Sequence, residues 1–356
     1  ADGAIEDFFN DTSTSNTLIE PDARAGQIYM SVGTAGYWRT ANDVGESNTS
    51  STPYTGGRAY VIEWDASAFE NDGTNNDNTL YGGTGDDKIY AASGDDTLDG
   101  GAGDDILLGG AGADTVSGGT DNDVIYLSSD GVIDTYDGGT GTDTLSAEQA
   151  TAGVEINLDN GGSQTITNIG GGTVNIGADV ISGFENIRGS HYNDILQGDA
   201  ANNNIKGNDG DDTIHGDDGD DWLYDGYGAD TIYGGDGDDN VRLMGDNDVD
   251  YIYASFDGVD NDTGDTLLFE RFSGDIIVNL AAGTVTSGTG YVDFIDGFEN
   301  VIMNDDTDDD TIYGNAASNT ITGADGRDYI NGGAGEDWLY GSNESGGLSS
   351  DPFFFF

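Results

Sequence analysis

A single large apolar residue recurs at every ninth position over long stretches of this 356-residue chain. Leu80, Ile89, Leu98, Leu107, Val116 and Ile125 keep the step without a gap. Each stands between two outward positions, and this short alternation predicts a three-residue strand with the apolar side chain facing inward. Glycines fill the intervals, where tight turns and positive φ cost them little. Two further segments read as strands: Arg58-Ala59-Tyr60-Val61-Ile62-Glu63-Trp64, and the alternating Val154-Glu155-Ile156-Asn157-Leu158. No run holds a 3.6-residue apolar period, so the chain reads as all-β.

The whole nine-residue unit has the form G-G-x-G-x-D-x-U-x, clearest in Gly82-Gly83-Thr84-Gly85-Asp86-Asp87-Lys88-Ile89-Tyr90. A fixed period repeated in register marks a solenoid whose coils each add one layer of core. Within the unit, turn carbonyls can converge with the sixth-position carboxylate. Calcium prefers six to eight such oxygens at ~2.3–2.6 Å. The candidate ligands of the first block are Gly82, Gly85, Asp87, Gly94, Asp96, Gly100, Gly103, Asp105, Gly109, Gly112, Asp114 and Asp123, followed by Gly138 and Asp143. A second block supplies Asp194, Gly207, Gly210, Asp212, Gly216, Gly219, Asp221, Asp230, Gly234, Gly237, Asp239 and Asp250. A third supplies Asp310, Asp328, Gly332, Gly335 and Asp337. Asn78, Asn203 and Asn319 hold the acidic position in degenerate copies. Those turns are expected to be structural and to bind metal weakly or not at all.

On these residues the chain resembles the RTX (repeats-in-toxin, haemolysin-type) family over about residues 73–341. The resemblance implies a calcium-bound parallel β-roll, two repeats to a coil, with ligands drawn from copies eighteen residues apart. The implied same-side columns are Asp87/Asp105/Asp123, Asp96/Asp114, Asp194/Asp212/Asp230, Asp221/Asp239 and Asp310/Asp328. It further implies an extracellular or cell-surface protein exported by type I secretion machinery. The ending Asp351-Pro352-Phe353-Phe354-Phe355-Phe356, an acidic residue before apolar ones, resembles the end of such secretion signals.

The repeats divide the chain. Residues 1–72 are expected to form a β-rich cap or interaction region; 73–146, 189–253 and 305–341 are roll blocks; 342–356 is a tail. The β segments between blocks, 147–188 and 254–304, match one another: Gly183-Phe184-Glu185-Asn186 parallels Gly297-Phe298-Glu299-Asn300. A unit of more than a hundred residues has been duplicated.

Composition narrows the function. Nine basic residues stand against 69 acidic ones, a net charge of -60, with 35% of the chain hydrophobic. Such a chain lacks the apolar surface to fold unaided, and it repels nucleic acid and anionic membranes. Calcium is the natural counter-charge. There is no cysteine, and no apolar run approaches the ~18 residues of a membrane span. Neither an H-E-x-x-H helix nor a G-x-S-x-G elbow is present, so no enzyme is expected. Of the two histidines, His215 takes an outward ninth position and reads as a solvated surface residue. Outward tyrosines at Tyr81, Tyr90, Tyr126, Tyr224, Tyr233, Tyr253, Tyr313 and Tyr340 offer either plain β-propensity or a contact surface. The expected role is a secreted, calcium-folded structural protein that self-assembles into a filament, surface layer or matrix. A calcium-dependent adhesin, or the non-catalytic part of an RTX enzyme, is the alternative.

Overall fold

The computed structural model describes residues 77–91, 93–158, 179–255, 264–303 and 308–341 in full, and four further strands by their backbone. Two of these, Ser31–Val32 and Trp38–Arg39, form a short antiparallel pair inside a separate unit, residues 1–52. The other two, Tyr60–Ile62 and Gln164–Ile169, belong to the larger unit, residues 53–356. Apart from those short strands, the expected cap over 1–72 lies outside the described residues. The tail 342–356 lies outside them as well.

The larger unit is a parallel β-solenoid of about 13 turns, a β-roll. Successive half-coils lie in alternate sheets. The first sheet stacks Thr79–Thr84, Thr97–Ala102, Thr115–Thr120 and Thr135–Thr140; the second stacks Lys88–Tyr90, Ile106–Leu108, Val124–Tyr126 and Thr144–Ser146. Register follows the repeat. Leu98 stands beside Val116, and Leu107 beside Ile125, eighteen residues on. The inward residues Ile89, Leu98, Leu107, Val116, Ile125, Leu145, Ile205, Ile214, Leu223 and Ile232 form the core column between the sheets, all fully buried. Among the described residues there is no helix.

Turn geometry explains the paired glycines. Gly83 and Gly101 sit at φ 103° and 105°, and a Cβ on Gly101 would collide with the Gly83 carbonyl one coil before. Where a copy lacks glycine there, Asn208 and Asp217 hold φ 77° and 72°. Asn and Asp are the side chains that best tolerate this left-handed region.

The two segments between blocks do not interrupt the roll. The second sheet passes straight from Thr144–Ser146 to Asn186–Arg188, and from Thr266–Glu270 to Asn300–Ile302. In the first sheet each segment inserts an antiparallel meander instead. Gly153–Asn157, Gln164–Ile169 and Asp179–Ser182 form one; Ile277–Asn279, Thr284–Thr286 and Val292–Asp296 form the other. The outer strands of each meander pair in parallel with the neighbouring coils, so the stack continues. Tyr60–Ile62 likewise pairs in parallel with Lys88–Tyr90, so the roll begins inside the segment read as the cap.

Candidate metal centres

Two columns of carboxylates run along the edges of the roll. The sixth-position aspartates of the first two blocks and Asp310 are buried, Asp328 and Asp337 are half-buried, and along the columns Oδ1 accepts the backbone N–H of the equivalent residue one coil earlier. Asp87 donates to Asp105 (2.7 Å), Asp105 to Asp123 (2.8 Å) and Asp96 to Asp114 (2.8 Å). In the second block Asp194 donates to Asp212 (2.8 Å), Asp212 to Asp230 (2.7 Å) and Asp221 to Asp239 (2.9 Å). In the third, Asp310 donates to Asp328 (3.0 Å) and Asn319 to Asp337 (3.0 Å).

The second oxygen turns inward, toward the first glycine of its own repeat. A Cβ on Gly100 would meet Asp105 Oδ2 and, at 2.6 Å, the carbonyl oxygen of Gly118 from the next coil. The same cradle recurs at Gly82 with Asp87, Gly207 with Asp212, Gly216 with Asp221 and Gly234 with Asp239, whereas at Gly109 and Gly332 the nearest atoms are those of Asp114 and Asp337. Gly138 differs slightly, facing Asp143 Cβ and the Gly183 carbonyl. Fourth-position glycines form a separate column. Gly103, Gly112, Gly219, Gly237 and Gly335 each lie against the fourth-position carbonyl of the coil before, with Gly85 and Gly94 supplying two of these. Gly335 also brings Asp337 Oδ1 within 3.2 Å of its Cβ direction, and Gly210 lies against Tyr192.

The cradles fit a hard, oxygen-seeking cation. Oδ2 of Asp96, Asp105, Asp114, Asp123, Asp143, Asp212, Asp221 and Asp230 is buried with no hydrogen-bond donor. Leaving a buried carboxylate oxygen unsatisfied is costly, so these atoms call for a cation. Among the described residues no three acidic or histidine side chains converge on one point. The complete cradles instead pair a carboxylate oxygen with a backbone carbonyl, a donor set that suits calcium when it is bound.

Burial raises the pKa values of these groups, and neighbouring carboxylates in the column add to the rise against the pull of the backbone N–H. Asp105 is pushed up to about 6, Asp114, Asp123, Asp221 and Asp230 to about 7, and Asp212 and Asp250 to about 8. In an unfolded chain aspartate titrates near ~3.9, so the metal-free fold binds more protons than the coil. Its stability is therefore greatest below about pH 4 and is lost as pH rises through about 6 to 8. Acidifying the calcium-free chain from about pH 8 to about pH 4 should accordingly increase its far-UV strand signal. A signal that falls on acidification would contradict the buried-carboxylate geometry.

Some stations close their own cradle. Asn203 Oδ1 accepts the Asp199 N–H (2.8 Å) while its Nδ2 donates to the Glu185 carbonyl (2.7 Å). Asn319 repeats this with the Asn315 N–H (3.0 Å) and the Glu299 carbonyl (2.8 Å). An amide thus provides the donor that a carboxylate lacks. At Asp194 the same atom, Oδ2, accepts the Ser190 N–H (2.6 Å), so this candidate ligand is already satisfied locally.

The columns also contain residues absent from the sequence-derived ligand set. Asp114 donates to Asp134 (2.7 Å), Asp134 to Asp179 (2.9 Å), Asp143 to Glu185 (2.8 Å), Asp239 to Asp265 (2.8 Å) and Asp250 to Asp293 (3.3 Å). The reduced signal D-x-U-x-G marks Asp134, Asp179 and Asp293, with Tyr136, Ile181 and Ile295 inward. Asp134 Oδ2 is capped by the Tyr136 hydroxyl (2.8 Å). Asp225 takes a first position where glycine is expected. It is fully buried, with Oδ1 on the Gly226 N–H (2.7 Å) and Oδ2 on the Met244 N–H (2.7 Å). His215 is not a free surface residue either: its ring stacks on Tyr233 at 4.7 Å, and burial lowers its pKa.

Comparison with known families finds the model of the RTX calcium-binding nonapeptide repeat over residues 72–107, 101–131, 108–145, 188–223, 215–250 and 304–343. No curated protein matches the chain. The matched stretches carry the regular repeats, while the carboxylate columns continue through the meanders between them.

Proposed function

Because the chain belongs to the family built on RTX calcium-binding nonapeptide repeats, we propose that it is a secreted structural protein, folded by calcium and self-associating outside the cell into a filament, surface layer or matrix. One observation carries the reading: aromatic rings run in rows across successive coils of the first sheet. Tyr251 stacks on Phe294 at 5.2 Å, and each leaves 43% of its surface exposed. Beside them, His215, Tyr233 and Tyr253 stack in series at 4.7 and 5.1 Å. Aromatic rings are favoured at protein interfaces, and a contiguous exposed row exceeds the scattered singles of an ordinary surface. A second copy is the occupant assigned to this face. Calcium bound along the carboxylate columns reduces the repulsion between two copies of a chain bearing -60.

This reading gives the chain no catalytic step. Export through type I secretion machinery is part of it, since a chain that folds only at extracellular calcium crosses a narrow channel unfolded. Sedimentation of the full chain in millimolar calcium tests it. Concentration-dependent assemblies are expected, and Tyr251→Ser with Phe294→Ser should reduce them while leaving the strand signal intact. A sharp monomer at high concentration would replace the structural role with that of a calcium-dependent binding module.

A further inference from the structure

The stations of the two columns differ, and the difference follows their place in the roll. In the block before the first meander, Asp96, Asp105, Asp114 and Asp123 form an unbroken open series, each with Oδ2 buried and without a donor. In the block after it, Asp212, Asp221 and Asp230 do the same. Beside the meander the stations are closed. Asp134 Oδ2 accepts from both the Ser128 and the Tyr136 hydroxyls. Asp194 accepts the Ser190 N–H at Oδ2 (2.6 Å) and, at Oδ1, the N–H of Val154 on the meander itself (2.7 Å). Asn203 carries its own donor. Of the stations between these, Asp143 and Asp179 remain open.

The core is also thicker here. A regular coil supplies two large inward side chains, whereas the strands around the meander add buried Val154 and Phe184 to Tyr136, Leu145, Ile156 and Ile181. More apolar burial and fewer stranded carboxylate oxygens make this the part of the roll that depends least on a cation. The block before it depends on this junction in turn. Asp123 N–H finds its acceptor on Asp143 (2.8 Å), and Asp114 N–H finds its own on Asp134 (2.7 Å). Asp105 then needs Asp123, and Asp87 needs Asp105.

We propose that the first meander junction, residues 127–158 and 179–205, is the nucleus from which the roll folds, and that the first block is laid on it coil by coil toward the N-terminus as calcium fills each new cradle. In a uniform solenoid folding can start at any coil. Closed stations and a thicker core remove that equivalence. A coil of the first block formed in isolation has open cradles and unpaired N–H groups, whereas one laid on a finished neighbour finds both acceptors in place.

The test is pulsed hydrogen exchange, read by mass spectrometry, after the chelated full chain is mixed with millimolar calcium. Amides of residues 144–147 and 186–189 should gain protection in the earliest phase, those of 115–125 next and those of 97–107 last. Tyr136→Phe takes a donor from Asp134 and the acceptor from the Ser128 N–H. It should slow the earliest phase at least about fivefold, the effect of one hydrogen bond lost in a nucleus. Tyr81→Phe, on an exposed ring, should leave that phase unchanged. Protection that begins in 97–107, or that rises at one rate throughout, would overturn the proposal. A Tyr136→Phe chain that folds at the unaltered rate would do so too. Should that variant fail to fold, the order of protection in the unaltered chain decides the matter by itself.

Discussion

Chelating calcium at neutral pH is expected to remove most of the far-UV strand signal of the full chain, and returning calcium should restore it cooperatively. The cause lies in the cradles. Oδ2 of Asp105, Asp114, Asp123, Asp221 and Asp230 is buried with no donor, and in the metal-free fold at pH 7 these groups either stay charged without a partner or take up protons that the coil has released. Each coil contributes only two large inward side chains against the entropy of ordering eighteen residues. A cation site at about 100 times its dissociation constant adds about 2.7 kcal/mol, and the sites are many. Each cradle uses atoms from two coils, so filling one favours forming the next, and the transition should be steep. Magnesium should restore far less, because it holds its waters and demands octahedral geometry at ~2.0–2.1 Å. The measurement is circular dichroism during calcium titration of the chelated chain. Retention of the full signal in chelator at pH 7 would rule out metal-driven folding.

Exchanging a carboxylate for its amide should change calcium stoichiometry by one ion in either direction. Asp105→Asn places at a cradle the group that Asn203 and Asn319 use to close theirs, with one oxygen to accept and one nitrogen to donate. The variant should fold, bind one ion fewer, and depend less steeply on calcium. Asp105→Ala should be worse, because it also strands the buried Asp87 N–H, a loss of about 1–3 kcal/mol. Asn203→Asp reverses the exchange. It deletes the donation to the Glu185 carbonyl and leaves a carboxylate oxygen facing Gly198 and the Gly216 carbonyl. That variant should bind one more ion and need more calcium to fold. Equilibrium dialysis with a calcium-selective readout decides the matter; unchanged stoichiometry in both variants would show that the cations sit elsewhere.

The architecture was legible because its two determinants are local and periodic. An inward residue such as Leu107 and a positive-φ glycine such as Gly101 recur at fixed spacing, and that spacing sets coil length and register without any long-range information. The carboxylate columns were legible only where the repeat is complete. Asp179 and Asp293 lie 45 and 43 residues from the stations that donate to them, at Asp134 and Asp250, because a meander is spliced between. Glu185 escapes a search for aspartate, although the longer side chain reaches the same Asp143 N–H. Nor could spacing show that Asp194 is satisfied by Ser190, since that depends on one residue inside a single turn. Register hides neighbours too: Arg188, Lys206, Tyr224 and Arg242 are scattered in sequence, yet they stand side by side along the second sheet.

The hydrogen bond from each sixth-position N–H to the next coil's Oδ1 gives the stack a mechanical polarity. Asp87 depends on Asp105 for its acceptor, and the Gly100 cradle depends on Gly118 for its carbonyl. Every buried sixth-position station is therefore completed by the neighbour on its C-terminal side, while the fifth-position bonds that run the other way, such as Asp104 N–H to Asp86 and Asn122 N–H to Asp104, are exposed. Peeling a coil from the N-terminal end leaves the remaining cradles whole. Removing one from the C-terminal end opens the cradle beneath it and exposes the next N–H, so unravelling that starts there runs onward. Tension applied to the last coil should thus unzip the roll at lower force than tension applied to the first.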